Sequence, residues 1–233
     1  MRILAISAHP DDVEINCAGT LTKYRNRGDV VGIMHATTGD KGHFVIKPEE
    51  LGPMRCLESQ RGGAVIGAQV ISLGYPDGEV YYSQDSVEHF TREIRRFSPD
   101  VIITHTPDDY HIDHAMVSKI VLDASFLVTV PHFLPDTPAM DAVPQIYFME
   151  PYTGMNFVPD HFVDITDTLS TKLDMMRCHE SQVDWLLSHD GLDILGFIET
   201  SAKYRGFQCG CQYAEGFVRY INALRARPGC FLP

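Results

Sequence analysis

The 233-residue chain is 44% hydrophobic and 21% charged, the profile of an ordinary globular protein rather than a disordered or fibrous one. Its formal net charge of −12, with no run of Lys and Arg, excludes a nucleic-acid-binding surface, because neutralising phosphates needs clustered cations. No uninterrupted apolar stretch is long enough to span a bilayer, and six cysteines without a disulfide-framework spacing fit a reducing cytoplasm.

The first half alternates strand and helix. Arg2 to Ala8 is a short apolar run of the buried-strand kind, and a helix is expected from about Asp11 to Arg27, stopped by Gly28. A second strand covers Asp29 to Thr37, a Gly-containing loop Thr38 to Lys47, and a helix Pro48 to Gly67. Gln69 to Leu73, Ser86 to Phe97, Pro99 to His105 and Asp113 to Leu127 continue as strand, helix, strand and helix. Repeated βα units with short connections predict an α/β fold, a Rossmann-like open parallel sheet with helices on both faces.

After Val128 the prolines at 131, 135, 138 and 144 break up the segment. Gln145 to Glu150 and His161 to Ile165 read as short strands, and Asp167 to about His189 as a helix capped by Thr166 or Asp167. The tail reads as mixed helix and loop. With no repeat and no linker, one domain over 1–233 is the simpler reading, with a core over 1–128 completed by the elements of 129–233. Cys209-Gly210-Cys211 has no second pair near it and reads as structural or surface thiols.

Each predicted strand ends in polar sequence: His9-Pro10-Asp11-Asp12, Thr37-Thr38-Gly39-Asp40, Gly74-Tyr75-Pro76-Asp77-Gly78-Glu79, and His105 to His114. In an open parallel sheet these carboxyl ends share one edge, and ligands bind where the strand order reverses. The simplest doubly wound order puts the first and fourth strands side by side there. A dinucleotide site would need glycines where this chain has His-Pro-Asp-Asp.

Two imidazoles and a carboxylate form a catalytic zinc set with a position left for water, and His9, Asp12 and His114 supply one. Such an ion lowers the pKa of water toward neutrality, and a separate carboxylate, Asp11, is then placed to take the proton. His111, one helical turn before His114, is the expected oxyanion stabiliser or proton donor, with Asp113 to orient and charge its ring. The same ligands would accept iron(II) or cobalt(II) in place of Zn2+.

At these residues the sequence resembles the LmbE-like (PIG-L) deacetylases. These include the N-acetylglucosaminyl-phosphatidylinositol de-N-acetylases and the deacetylases of mycothiol and bacillithiol biosynthesis. The resemblance runs from Ala8-His9-Pro10-Asp11-Asp12 with Glu14 and Gly19-Thr20-Leu21 through Thr38-Gly39-Asp40, Arg55-x-x-Glu58 and Leu73 to Gly78. It continues through His111 to His114, Asp164-Ile165-Thr166, Lys172, His179 to Gln182 and Tyr213 to Phe217. It implies zinc at His9, Asp12 and His114, Asp11 as general base, and His111 as oxyanion stabiliser or acid supported by Asp113. Arg55 looks like the family's substrate-binding arginine, against an ordinary salt bridge to Glu58 or a solvated helix face. Asp77 would bond sugar hydroxyls, against an ordinary Pro-Asp-Gly turn. Ile112 replaces a proline frequent in the family, which alters loop stiffness more than chemistry.

The resemblance implies a small-molecule N-acetylated sugar as substrate and removal of its acetyl group, with neither nucleic acid nor membrane as partner. Relatives are frequently oligomers, and Phe126, Leu127, Phe133 and Leu134 would serve either a contact in a homo-oligomer or the core. Two other readings are a metal-dependent phosphoesterase and a non-catalytic sugar-binding homologue. The first has few unassigned ligands beyond Asp40, Asp108 and Asp109, and the second would need neither Asp11 nor His111. A structural role is expected for His179 and Glu180, and none is assigned to His35, His105, His132, His161 and His189.

Overall fold

Successive side chains of a strand point to opposite faces, and here each face meets its own helical layer. The computed structural model describes residues 1–221 and 228–233. Its first half runs β1 (Arg2–Ser7), α1 (Asp12–Asn16), α2 (Ala18–Asn26), β2 (Val30–Thr37), α3 (Pro48–Val65), β3 (Gln69–Tyr75), α4 (Gln84–Phe97), β4 (Val101–Thr104) and α5 (Ile112–Leu127). The second half adds β5 (Gln145–Met149), β6 (His161–Asp164), α6 (Leu169–Arg177), α7 (Glu180–Asp190), α8 (Ile194–Cys209) and β7 (Ala214–Tyr220).

The sheet order is β3-β2-β1-β4-β5-β7-β6, so the order reverses between β1 and β4, as the doubly wound reading expects. Register aligns like with like. Ile33, Ala5, Ile103 and Tyr147 lie abreast and enter the core beneath α1, α2 and α6. Gly32, Leu4, Ile102 and Ile146 lie abreast one residue earlier and face α4 and α5. Gly32 has no substitute there, since a Cβ would sit 2.5 Å from the ring of Phe97.

Four expectations are corrected. The sheet is mixed, because β7 inserts antiparallel between β5 and β6. The helix expected over 11–27 breaks at Cys17 (φ −146°), and the one over 167–189 splits into α6 and α7 around Cys178 and His179. Thr168 occupies the N-cap of α6 without a side-chain bond, its hydroxyl donating to the carbonyl of Gly19 instead. The tail expectation falls partly on 222–227, outside the described residues.

The proline-rich segment after α5 wraps around Arg95 of α4, whose guanidinium donates to the carbonyls of Leu127, Val128, Val130, Leu134 and Thr137. Leu127 and Phe133 pack on the core, while Phe126 is exposed. The Cys209 and Cys211 sulfurs are 3.5 Å apart, hydrogen-bonded to each other without forming a disulfide. No helix among the described residues is long and apolar enough to cross a membrane.

Candidate active site

The carboxyl ends of β1 and β4 open into a cavity of about 400 Å3. The turn after β1 is held from below: Thr37 donates through both its amide and its hydroxyl to the carbonyl of Ala8. Ser7 Oγ bonds the carbonyl of His9 and lies 2.8 Å from His35, which rests in turn on Ser59. His9 N donates to Asp12 Oδ2 at 2.7 Å, tying the two residues into one turn. Asp11 between them has φ 108°, a left-handed backbone uncommon outside glycine.

That carboxylate meets Arg55 of α3. The guanidinium is 3.0 Å from Asp11 Oδ2 and also donates to the carbonyls of Pro10 and Gly39. It fills the space a side chain on Gly39 would need, with Nη1 2.5 Å from the place of a Cβ. The salt bridge to Glu58 does not form; Glu58 accepts instead from the amide and hydroxyl of Ser181, at the start of α7. Burial raises Asp11 to about 6 even though Arg55 opposes the shift.

His9, Asp12 and His114 lie together at the mouth of the cavity. His9 Nδ1 lies 3.2 Å from His114 Nε2 and 3.5 Å from Asp12 Oδ2, and His114 Nε2 lies 3.2 Å from Asp12 Oδ1. A tetrahedral ion with ligands at roughly 2.0–2.1 Å separates its donors by about 3.3 Å, the order of these spacings, with Asp12 turning Oδ2 to His9 and Oδ1 to His114. Among the described residues the groups able to hold an ion are His9-His111-His114, Asp12-His105-His114 and His9-Asp77-Asp113. The outer nitrogen of each imidazole faces acid: His114 Nδ1 is 3.1 Å from Asp109, and His9 Nε2 is 3.2 Å from both Asp77 and Asp113. A carboxylate behind a ligand histidine is a common support of metal sites. Against the cost of burial, Asp12 and then Asp109 raise His114 to about 9, and Asp12 with Asp113 and Asp77 raises His9 well above its ordinary value. The cluster thus holds more negative than positive charge and attracts a cation.

Asp113 behaves differently from expectation. Its carboxylate accepts from the amides of Gly78 and Val80 and faces the ring of His9 rather than that of His111. The backbone amide of Asp113 instead donates to His111 Nδ1, making His111 the N-cap of α5 and leaving the proton of the neutral ring on Nε2. Burial, with His9 and His114 nearby, lowers His111 below its usual range, which favours that neutral donor. Asp77 lines the cavity and is 3.2 Å from His9.

Two contributors were missed. His105, assigned no role, stacks on His114 with ring centroids 3.9 Å apart, and its Nε2 accepts from the amide of Ala8. The same Nε2 lies 3.3 Å from Asp12 Oδ2, and His105 forms with Asp12 and His114 a group that could hold an ion. Asp109, counted only as unassigned, backs His114. Its place in the polar run before His111 was the available signal. His179 is buried 3.3 Å from Glu14, the structural role expected, and Glu180 is exposed.

Comparison with known proteins places this geometry. The chain is 29% identical to the diacetylchitobiose deacetylase of Thermococcus kodakarensis over 99% of its own length and 85% of that protein's. The solved N,N'-diacetylchitobiose deacetylase of Pyrococcus horikoshii superposes with a TM-score of 0.84 at 26% identity, covering 94% of this chain and 83% of that one. The 4-carboxy-2-hydroxymuconate hydratase GalB of Pseudomonas putida KT2440 superposes with a TM-score of 0.83 at 19% identity over 98% and 99% of the two chains, a likeness of fold alone. The model of the family described as PIG-L, GlcNAc-PI de-N-acetylase, matches residues 4–125, which carry all the polar strand ends just described. More than half of the sequence is thus matched, and the chain belongs to the PIG-L family.

Proposed function

We propose that this protein is a zinc-dependent hydrolase that removes the N-acetyl group from an amino sugar or its conjugate. The observation that carries the reading is the convergence of His9, Asp12 and His114 beside a separate carboxylate, Asp11, fixed by Arg55. The family description and the similar deacetylases share one chemical unit, N-acetylglucosamine, and this makes it the first substrate to try. Free thiols at all six cysteines support the cytoplasm as the compartment.

His9, Asp12 and His114 would hold the ion, which supplies, when bound, a water of lowered pKa and polarisation of the acyl carbonyl. Asp11 takes the proton of the attacking water, its carboxylate kept in place by the Arg55 guanidinium. As the carbonyl carbon becomes tetrahedral, His111 Nε2–H donates to the developing oxyanion, a neutral donor needing no protonation step. Asp11 then passes its proton to the departing amine, and acetate and the free amino sugar leave. Asp113, Asp77 and Asp109 hold the rings of His9 and His114. Arg55 and Asp77 line the same cavity and are placed to meet sugar oxygens.

The test is acetate release from N-acetylglucosamine and N,N'-diacetylchitobiose, with and without a chelator. We expect release that the chelator abolishes and added zinc restores. No chelator-sensitive release from any N-acetylated sugar would overturn the reading, and phosphate release from phosphate esters in its place would favour the phosphoesterase.

A further inference from the structure

The cavity has two walls of different origin. One carries the donor cluster and lies within residues 4–125; the other comes from the second half and includes Tyr152, Gln182 and Asp190. On this second wall the Tyr152 hydroxyl is buried with no hydrogen-bond partner. Its ring is fixed by stacking on Phe197, with centroids 4.6 Å apart and planes 17° from parallel, and by a turn in which Gly154 N donates to the carbonyl of Pro151.

A buried hydroxyl without a partner lowers stability, and phenylalanine would give the same packing without that loss. The group therefore calls for an explanation outside the fold. Tyr152 lines both the catalytic cavity of about 400 Å3 and a neighbouring pocket of about 30 Å3, and only the first has room for a sugar. Burial, then Tyr110, Asp11 and Asp190 nearby, pushes the phenol up to about 12, so it remains a neutral donor over the working range of an enzyme.

We propose that Tyr152 is a specificity-determining residue that donates a hydrogen bond to a hydroxyl of the bound pyranose, setting the sugar so that its acetamido group lies against Asp11. The assignment rests on the deacetylase reading and deepens it: the catalytic wall acts on the amide, and the second-half wall selects the sugar.

The experiment compares wild type with Tyr152→Phe on whichever of N-acetylglucosamine and N,N'-diacetylchitobiose the wild type turns over, and on deoxy analogues of that sugar. Thermal midpoints are measured on the same samples. Loss of one neutral hydrogen bond should lower kcat/KM roughly three- to tenfold, mainly through KM. The midpoint should stay level or rise, and the deficit should vanish for the one deoxy analogue that lacks the contacted hydroxyl. Equal kcat/KM for the two proteins would overturn the assignment, as expected if a water in the adjoining pocket of about 30 Å3 takes the bond. A lowered midpoint, or the same deficit on every analogue, would overturn it too. Wild type that releases no acetate from either sugar would instead contradict the deacetylase reading, and this assignment with it.

Discussion

Asp113 shows how far a residue's chemistry can be read before its neighbours are known. The pattern His111-x-Asp113-His114 marks a site, but which ring the carboxylate serves depends on Gly78 and Val80, thirty-odd residues away in sequence, which turn it toward His9. Likewise, the contacts of His105 with the amide of Ala8 and with Asp12 could not be read from its place in the sequence. Residue type and spacing single out His9, Asp12 and His114, which the fold brings together; tautomers and outer partners were not legible, since they arise from contacts between distant loops. The structural role of Asp113 makes a distinct prediction. Asp113→Asn should weaken metal affinity about 10–100-fold, measured by competition with a chromophoric chelator. Unchanged affinity with reduced turnover would return Asp113 to His111.

At the scale of elements, buried ionic contacts fasten the second half onto the first. Glu215 of β7 accepts from Lys172 of α6 and from the amides of Gly19 and Thr20 in the first turn of α2. Lys172→Met leaves that carboxylate buried without its cation and should cost about 3–5 kcal/mol in urea unfolding. Lys172→Met with Glu215→Gln should recover part of the loss, because the amide oxygen still accepts from α2. The strand β7 was hidden in the sequence by Gly216, a residue that weakens strand signals and is small here because Pro159 lies 3.0 Å from where a Cβ would be. The break at Cys17 was hidden for the opposite reason, since neither glycine nor proline marks it.

Glu14 of α1 and His179, between α6 and α7, form a second fastening at 3.3 Å. Burial works against both charges, yet the partners lower Glu14 from 4.5 and raise His179 from 6.5. A depressed carboxyl contributes stability above its unfolded value and loses it as pH falls through the folded one. A raised imidazole contributes below its unfolded value and loses it as pH rises through the folded one. The pair should therefore stabilise the metal-free protein most between 4.5 and 6.5, with the contribution fading on either side. Thermal midpoints of wild type and His179→Gln across pH should differ most in that window. A difference that grows steadily toward alkaline pH would contradict the pairing.

For the whole molecule, the alternating βα pattern placed the reversal between β1 and β4 correctly, because five of the seven strands among the described residues follow it in parallel register from β3 to β5. The second half, less regular in sequence, supplies the far wall of the cavity. The proposed chemistry divides the labour: His9, Asp12 and His114 would hold the ion and Asp11 would move the proton. Bound metal and acetate release, measured on the same preparations of wild type, Asp12→Asn and Asp11→Asn, test it most directly. Asp12→Asn should lose both metal and turnover, whereas Asp11→Asn should keep near-stoichiometric zinc and lose at least about a hundredfold in kcat, the lower range for a general base. Asp11→Asn that loses its zinc, or keeps its turnover, would contradict the assignment.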